Sequence, residues 1–406
     1  MKIILLFLTA MFLASCENTI YQAEDNMGPQ FQEYKTILDQ YNEFSYVSSD
    51  DAASAETLDE ICSSRLQYSE EYDSIIMIMD IPYLYNDKTG NLGSLCTDPL
   101  CFHNTADCPY HGLISGVVFA NQKAYYNALE PAEGMYVYYE LDLKNGRKRE
   151  LRRRPMGAQV MSQYFDEDYA YYYDIIEQDD SEQKTVNRYY AFMRQNLDTL
   201  ETEELSRTEG YIDTVIRKRF GDTFLFRRQS DGNLLIAPVD NLSAQTVIFD
   251  GFVSGKNNSM QIEGDTVFFL ELTDTGAVLS SICYDGTGCR SYPLPELFDK
   301  IQSYYVTEKY IYYMGNEPVD IPSGGVTSFL CPRTIWRMDR ETEEITLAYE
   351  MDERLDLVDI EQFIVKGNYI YAKYVLFTED YQAIDDSEGY LRLGIADGSI
   401  YLINWD

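Results

Sequence analysis

Two short sequence patterns alternate from about residue 68 to the end of the chain. The first is a short aromatic stretch that often opens on a polar turn residue. It occurs at 74–77, 123–126, 169–172, 223–226, 266–269, 310–313 and 369–371. The second is a strand-like stretch that runs into Asp and a turn. It occurs at 84–87, 138–142, 193–198, 236–240, 282–285, 335–339 and 393–398.

The sevenfold alternation predicts a β-propeller. Successive first patterns start 43 to 59 residues apart, which is near the length of one propeller blade. Tyr, Phe, Ile and Val suit a half-buried pleated surface, and Asp or Asn with Gly supplies the turn between strands. One four-stranded unit cannot bury both of its faces alone, whereas radial stacking buries them. We therefore expect an all-β propeller over residues 61–406, with seven blades and with six or eight as the near alternatives.

The N-terminus predicts where the protein resides. Lys2 precedes an apolar run at 3–12 that is too short to span a bilayer and has the build of a signal peptide. The sequence Leu-Ala-Ser-Cys at 13–16 resembles the lipobox of bacterial lipoproteins, in which the cysteine becomes the lipidated N-terminus. We therefore expect a signal peptide at 1–15 and an acyl (palmitate-type) anchor at Cys16 that holds the protein on the extracytoplasmic face of the cell membrane. The alternative is an ordinary secretory signal that ends near a cysteine.

Charge predicts a tether and excludes some partners. Residues 16–60 contain eleven acidic side chains and one basic side chain, Lys35, and such an excess keeps a segment extended. Aromatic and leucine residues at 31–44 have the spacing of one short amphipathic helix. Over the whole chain, 68 acidic residues against 32 basic ones leave a net charge of −36. This charge excludes nucleic acid as the partner, because binding there depends on Lys and Arg.

Cysteine and histidine cluster in one segment. Three cysteines and both histidines of the chain lie between residues 96 and 111, and such clustering is typical of a metal site. The residue types predict a closed, structural zinc site with Cys96, Cys101, His103 and Cys108 as ligands and His111 as an alternative ligand. A local disulfide, for instance Cys96 to Cys101 with Cys108 bound to Cys62, is the competing interpretation, because disulfides are favoured outside the cytoplasm.

A second cysteine pair flanks a hairpin turn. Cys283 and Cys289 enclose Tyr-Asp-Gly-Thr-Gly, and they would form a cross-strand disulfide if their Cβ atoms face each other. Seven cysteines follow Cys16, so at least one stays free, binds metal or pairs outside the chain.

The segment at 94–103, Ser-Leu-Cys-Thr-Asp-Pro-Leu-Cys-Phe-His, together with Cys108, resembles a signature of surface lipoproteins from clostridia-related bacteria. In those proteins a Cys-x-x-Pro-x-Cys-x-His segment precedes Tyr-rich, propeller-like repeats. The resemblance covers the lipobox, this segment and, loosely, the repeats. It implies a surface-anchored propeller and implies no particular activity.

The functional prediction depends mainly on which catalytic motifs are absent from the sequence. The chain has no Gly-x-Ser-x-Gly elbow, and its two histidines lie in the cysteine segment, which excludes a Ser-His-Asp triad elsewhere. We therefore expect a non-enzymatic binding or scaffold module of the envelope whose partner is a glycan, a peptide or another envelope protein. The alternative is a carbohydrate-active hydrolase or lyase with a carboxylate-lined central pocket. The one basic patch, which we interpret as a solvated connection between strands rather than a site for a polyanion or for the tether, has the residues Lys144, Arg147, Lys148, Arg149, Arg152, Arg153 and Arg154.

Overall fold

The computed structural model describes most of the chain after residue 65. The described residues are 66–69, 74–78, 82–94, 108, 118–120, 123–130, 133–142, 145–155, 163–180, 185–208, 212–253, 260–273, 276–294, 304–314, 334–351, 358–376 and 389–403. Every regular element in these ranges is a β-strand. None of these ranges contains a helix that is long and apolar enough to cross a membrane. The predicted signal peptide, Cys16 and the tether at 16–60 lie outside the described residues.

The strands form seven antiparallel sheets, each built from four consecutive strands. The first three sheets, blades 1 to 3, contain β1 (Leu66–Ser69), β2 (Ser74–Ile78), β3 (Pro82–Asn86), β4 (Asn91–Ser94); β5 (Val118–Ala120), β6 (Lys123–Glu130), β7 (Met135–Asp142), β8 (Lys148–Pro155); β9 (Gln163–Phe165), β10 (Tyr169–Asp180), β11 (Thr185–Asn196), β12 (Thr202–Thr208).

The other four sheets, blades 4 to 7, follow in the same order. They contain β13 (Thr214–Phe220), β14 (Thr223–Arg228), β15 (Leu234–Pro238), β16 (Thr246–Phe249); β17 (Met260–Glu263), β18 (Thr266–Thr273), β19 (Gly276–Cys283), β20 (Arg290–Ser291); β21 (Tyr304–Val306), β22 (Tyr310–Met314), β23 (Thr334–Asp339), β24 (Ile345–Glu350); β25 (Val358–Lys366), β26 (Tyr369–Leu376), β27 (Gly389–Gly394), β28 (Ile400–Ile403).

The seven sheets are the blades of a β-propeller, which confirms the predicted fold and the predicted blade number. The first strands of neighbouring blades contact one another, as in the pairs β9 with β13, β17 with β21 and β21 with β25. The first strand of each blade is therefore the inner strand. β1 contacts β25, so blade 7 lies against blade 1 and the ring is closed. The two sequence patterns correspond to the second and third strands of each blade.

The core is a ring of apolar layers between blades. On the second strand of blade 3, Tyr171 and Tyr173 pack with residues of blade 4, whereas Tyr172 packs with residues of blade 2. Alternate side chains of one strand therefore fill two different layers, as the period of two along a strand requires. Nine tyrosines are among the largest fully buried side chains: Tyr85, Tyr125, Tyr126, Tyr171, Tyr172, Tyr304, Tyr313, Tyr371 and Tyr390.

The same turn joins the third and fourth strands in several blades. In blade 3, Asn196 Oδ1 accepts hydrogen bonds from the backbone N–H groups of Asp198 and Thr199, and the next residue, Leu200, has a φ of 62°. Asp339 accepts the equivalent bonds in blade 6, where Glu343 has a φ of 59°. Glycine holds this left-handed position in three other blades, at Gly90, Gly146 and Gly398. Asp or Asn followed by Gly is therefore a turn signal here, as the sequence indicates.

The propeller has two distinct faces. The turns between first and second strands and between third and fourth strands lie on one face, which we call the turn face. The connections between second and third strands and those that lead to the next blade lie on the other, which we call the connection face. The chain between second and third strands differs in length, from five residues at 229–233 in blade 4 to nineteen at 315–333 in blade 6, the latter outside the described residues.

Candidate functional site

The inner strand of blade 7 departs from regular pairing near the connection face. The register between β25 and β26 shifts between Ile360 and Gln362, so that Glu361 is the extra residue of a β-bulge. A bulge redirects a side chain and often lies next to a functional site. Glu361 is close to the start of β25, and this end of the strand is at the connection face.

The bulge brings a lysine and a carboxylate together, and a second carboxylate lies two residues before the first on the same strand. Lys373, on the neighbouring strand β26, is 5% exposed, and its Nζ lies 2.6 Å from Glu361 Oε2. The Glu361 side chain is 42% exposed. Asp359 precedes Glu361 by two residues and is 3% exposed. We call Asp359, Glu361 and Lys373 the blade-7 site.

The arrangement has a definite chemical capacity. Lys373 is enclosed and donates to a carboxylate whose other side reaches solvent, so the charge of Glu361 is balanced while its outer lone pairs stay accessible. Such a carboxylate accepts hydrogen bonds from hydroxyl or amino groups. Within the ranges that the structure describes, no three His, Cys, Asp or Glu side chains come together as metal ligands would. The described residues therefore offer hydrogen-bond recognition here and no metal site.

Sequence analysis did not single out these three residues. The signal was present in the buried strand Tyr-Ile-Tyr-Ala-Lys-Tyr-Val-Leu, where Lys373 is the one charged residue. A charged side chain in a buried strand requires a partner of opposite charge. The partner was not predictable, because the bulge at Glu361 is visible only in the pairing of the two strands.

The basic patch of the sequence is an outer strand with internal partners. Its residues from 148 onward form β8 of blade 2, and Lys144 lies outside the described residues. Arg149 Nη2 is 2.9 Å from Glu140 Oε2. Arg153 Nε is 2.8 Å from Glu150 Oε1. Arg149 and Arg153 are therefore paired with carboxylates of their own blade.

Arg152 of the same strand is buried between two blades. Its guanidinium carbon lies 4.3 Å from the centroid of the Tyr138 ring in blade 2 and 3.9 Å from that of Tyr172 in blade 3. Arg152 Nη1 donates to Gln195 Oε1 at 2.9 Å, and Nη2 donates to Gln163 Oε1 at 3.0 Å. Burial lowers the pKa of Arg152 to about 10. Arg152 therefore connects blades 2 and 3 through aromatic faces and neutral amides.

Most of the predicted metal ligands fall outside the described residues. These are Cys96, Cys101, His103 and the alternative ligand His111. Cys108 is described and is 2% exposed. It is near enough to Tyr126 of blade 2 that it contributes, after burial, to the raised pKa of that phenol. The zinc site and the competing disulfide both stay predictions.

Cys283 and Cys289 are both free thiols in this structure, and the disulfide between them stays a prediction. The pairing of β19 with β20 places Gly288 beside Cys283. Ser281 is opposite Arg290, and a Cβ on Gly288 would lie 3.4 Å from Cys283 Sγ. Cys283 therefore faces Gly288, the residue before Cys289. Cys283 is half-buried and Cys289 is exposed.

Comparisons with known proteins give a likeness of fold. No protein-family model and no curated protein sequence matches this chain. An oligogalacturonate lyase from Vibrio parahaemolyticus is 10% identical and has a TM-score of 0.44, with 86% of this chain and 91% of that chain covered. The propeller domain of the trilobed protease from Pyrococcus furiosus is 9% identical with a TM-score of 0.43, and the coverage is 84% and 90%. TolB from Acinetobacter baumannii is 12% identical with a TM-score of 0.35, and the coverage is 93% of both chains.

Proposed function

We propose that this chain is a lipid-anchored propeller of the cell envelope that binds a ligand at its connection face. The ligand is a glycan, a peptide or another envelope protein. The observation that carries the proposal is the ion pair of enclosed Lys373 with half-exposed Glu361 at the bulge of an inner strand. Binding residues concentrate where a rigid scaffold presents irregular backbone. The Lys373–Glu361 pair lies at such a position, because Glu361 is the extra residue of the bulge.

The test is a binding measurement with the full chain on arrays of glycans and peptides. Glu361→Gln removes the charge but keeps the shape, and we expect it to weaken binding about tenfold, because a hydrogen bond to a charged group contributes about 1.5–3 kcal/mol. Glu350→Gln on the outer strand of blade 6, where Glu350 is exposed, is the matched control and should bind like the wild type. Equal binding by Glu361→Gln and the wild type would refute the proposal.

The second candidate function is a carbohydrate-active hydrolase or lyase. It is favoured by one observation, the presence of two carboxylates, Asp359 and Glu361, two residues apart on an inner strand. Most glycoside hydrolases act through a pair of carboxyl groups. Incubation of the full chain with a polysaccharide panel tests this candidate. New reducing ends or unsaturated products that disappear in Asp359→Asn would support an enzyme, and no product from any polysaccharide would leave the binding function.

The membrane anchor is part of the proposal and has its own test. Cys16 would carry acyl chains, and these would hold the protein on the extracytoplasmic face. We expect labelled palmitate to enter the wild-type chain and not the Cys16→Ala variant, which should leave the membrane fraction. Labelling that is equal in both variants would exclude Cys16 as the lipidation site.

We also propose a structural zinc ion bound by Cys96, Cys101, His103 and Cys108. Three thiolates and one imidazole form a closed site without a substrate position, and the thiols lose protons when they bind metal. Metal analysis of the chain purified without oxygen should find one zinc per chain. Well under one zinc per chain, together with a bond between the sulfur atoms of Cys96 and Cys101, would establish the disulfide instead.

A further inference from the structure

The interface of blades 2 and 3 contains more positive than negative groups. Asp174 of β10 is 4% exposed and forms an ion pair with Arg154 of β8. Arg152, 8% exposed, has two neutral amides as its hydrogen-bond partners. Two guanidinium groups therefore share one carboxylate, although the whole chain has a net charge of −36.

Two partly exposed cations also share one carboxylate within blade 2. Lys123 Nζ lies 3.2 Å and Arg149 Nη2 lies 2.9 Å from the same oxygen, Glu140 Oε2. Buried charges in proteins are normally paired one to one or bound to an ion. Arg152 is buried and hydrogen-bonds only to neutral amides through its Nη atoms, so its charge calls for a physical explanation.

Three enclosed donors in this interface have no hydrogen-bond partner within the described part of the protein. They are Arg152 Nε, Arg154 Nε and the hydroxyl of Tyr172. Arg152, Arg154 and Asp174 all act electrostatically on the Tyr172 hydroxyl, and Arg154 also interacts with its oxygen as a hydrogen-bond donor, so these groups form one cluster. Tyr172 is fully buried. Buried donors in native proteins are almost always satisfied by protein atoms, by water or by an ion.

We propose that a small monovalent anion, the size of chloride, binds between blades 2 and 3 and accepts hydrogen bonds from Arg152 Nε, Arg154 Nε and the Tyr172 hydroxyl. The anion balances the second guanidinium charge, which Asp174 does not balance. Asp174 Oδ1 also has no partner in this cluster, and its charge would repel a divalent anion. The three donor atoms are enclosed, so an ion that contacts all of them must be small. Charge and size together therefore select a halide-like ion.

A water molecule is the competing occupant. Water would accept from the same donors and would also donate to Asp174 Oδ1, but it would leave the charge excess as it is. The two occupants differ in two measurable ways. A halide raises stability with its own concentration by mass action, and bromide scatters anomalously where water does not.

The first experiment uses crystals of the full chain soaked in sodium bromide. We expect an anomalous peak between Arg152 and Arg154. Density for water alone at this position, with bromide present at high concentration, would overturn the proposal. A bromide peak only on the outer surface would be an adventitious ion only and would overturn it as well.

The second experiment measures the thermal midpoint of the full chain in sodium chloride and in sodium gluconate at equal ionic strength. We expect a chloride-dependent rise that gluconate, which is too large for the site, does not produce. Tyr172→Phe keeps the ring beside Arg152 and removes one donor, so the apparent chloride affinity should fall about tenfold. Arg207→Gln, which changes an arginine on the exposed face of blade 3 that pairs with Glu204, should keep the full chloride effect.

The variants also distinguish a folding defect from a loss of chloride binding. Tyr172→Phe is a mild change, and its fold is checked by the circular dichroism of the folded chain. A chloride effect of the same size in the wild type and in Tyr172→Phe would exclude this cluster as the binding site. Equal midpoints in chloride and gluconate for the wild type would exclude an anion altogether.

Discussion

Lys366, the last residue of the inner strand of blade 7, forms an ion pair with Asp87 of blade 1, with 3.3 Å between Lys366 Nζ and Asp87 Oδ2. The two side chains are 11% and 14% exposed. Each blade consists of four consecutive strands, so no strand is exchanged between blade 7 and blade 1. The ring is closed by side chains, with this pair at the turn face and Tyr85 against Tyr371 at 6.0 Å between ring centroids.

The closing ion pair should contribute strongly to stability. Lys366→Met leaves the enclosed carboxylate of Asp87 without its counter-ion, and we expect the free energy of unfolding to fall by about 3 kcal/mol. Urea denaturation of the full chain measures this change. Arg153→Gln, which removes an exposed ion pair with Glu150, is the control and should have a much smaller effect. Similar losses in the two variants would mean that the closure does not depend on this pair.

Gln261 connects the inner strands of blades 5 and 6. It is 2% exposed. Its Nε2 donates to the carbonyl oxygen of Tyr304 at 3.1 Å, and its Oε1 accepts from the backbone N–H of Val306 at 2.7 Å. The side-chain amide therefore hydrogen-bonds to the free edge of β21 in place of a neighbouring strand.

We expect Gln261→Leu to lower the free energy of unfolding by about 3 kcal/mol, because two enclosed backbone groups lose their partners. Denaturation in urea gives this value. Gln245→Leu, at an exposed position between β15 and β16, provides the comparison and should change stability little. A loss in Gln261→Leu no larger than in Gln245→Leu would contradict this role.

Two substitutions at the left-handed turn position should change the free energy of unfolding in opposite directions. Glu343 has a φ of 59° and forms an ion pair with Arg290, whereas Gly398 has the same conformation in blade 7, with a φ of 67°. In an Arg290→Gln background, which removes the ion pair, Glu343→Gly should raise the free energy of unfolding by about 1 kcal/mol. Gly398→Ala should lower it by about the same amount. Thermal or urea unfolding tests both, and changes of the same sign in the two variants would disprove the strain argument.

Tyr173 predicts a loss of stability at alkaline pH. Burial raises the pKa of Tyr173 to about 12 from the ordinary value of 10.0, and the hydrogen bond with Thr214 lowers it slightly. Its hydroxyl lies 2.9 Å from Thr214 Oγ1 of blade 4. Between pH 10 and pH 12 the unfolded chain loses this proton before the folded chain does, so stability falls as pH rises, by about 2.5 kcal/mol over the window.

The measurement is urea unfolding at several pH values between 9 and 12, with tyrosinate absorbance followed in parallel. Below pH 10 both states keep the proton, and Tyr173 adds no pH dependence. Tyr173→Phe should show a smaller loss over the same window. Identical slopes for the variant and the wild type would show that another group causes the alkaline loss.

Much of the fold was predictable because it is local and repeated. The aromatic strand at 169–172 and the Asn-x-x-Thr turn that starts at Asn196 recur with small changes around the ring, and each copy adds a separate piece of evidence. A wrong strand or turn assignment in one copy is therefore outweighed by the assignments in the other copies. This redundancy is why the sequence predicts seven blades, with six and eight as the near alternatives.

The functional features were less predictable because they depend on single contacts between blades or on irregular pairing. The blade-7 site exists because β25 has an extra residue at Glu361, and no local property of Asp-Ile-Glu-Gln indicates a bulge. The basic patch shows the same limit. Its composition indicated a solvated connection, whereas in the fold it is strand β8, and Arg152 from that strand lies between Tyr138 and Tyr172.

The sequence by itself determined the repeat, the strand periodicity, the turns and the buried tyrosines, because each of these depends on residues close together in the chain. Only the tertiary structure decided which charges meet. Lys373 and Glu361 are on neighbouring strands, and Asp87 and Lys366 are nearly a whole ring apart in sequence yet adjacent in space. Side-chain direction depends on strand register, and register is set by packing against the neighbouring blades rather than by spacing along the chain.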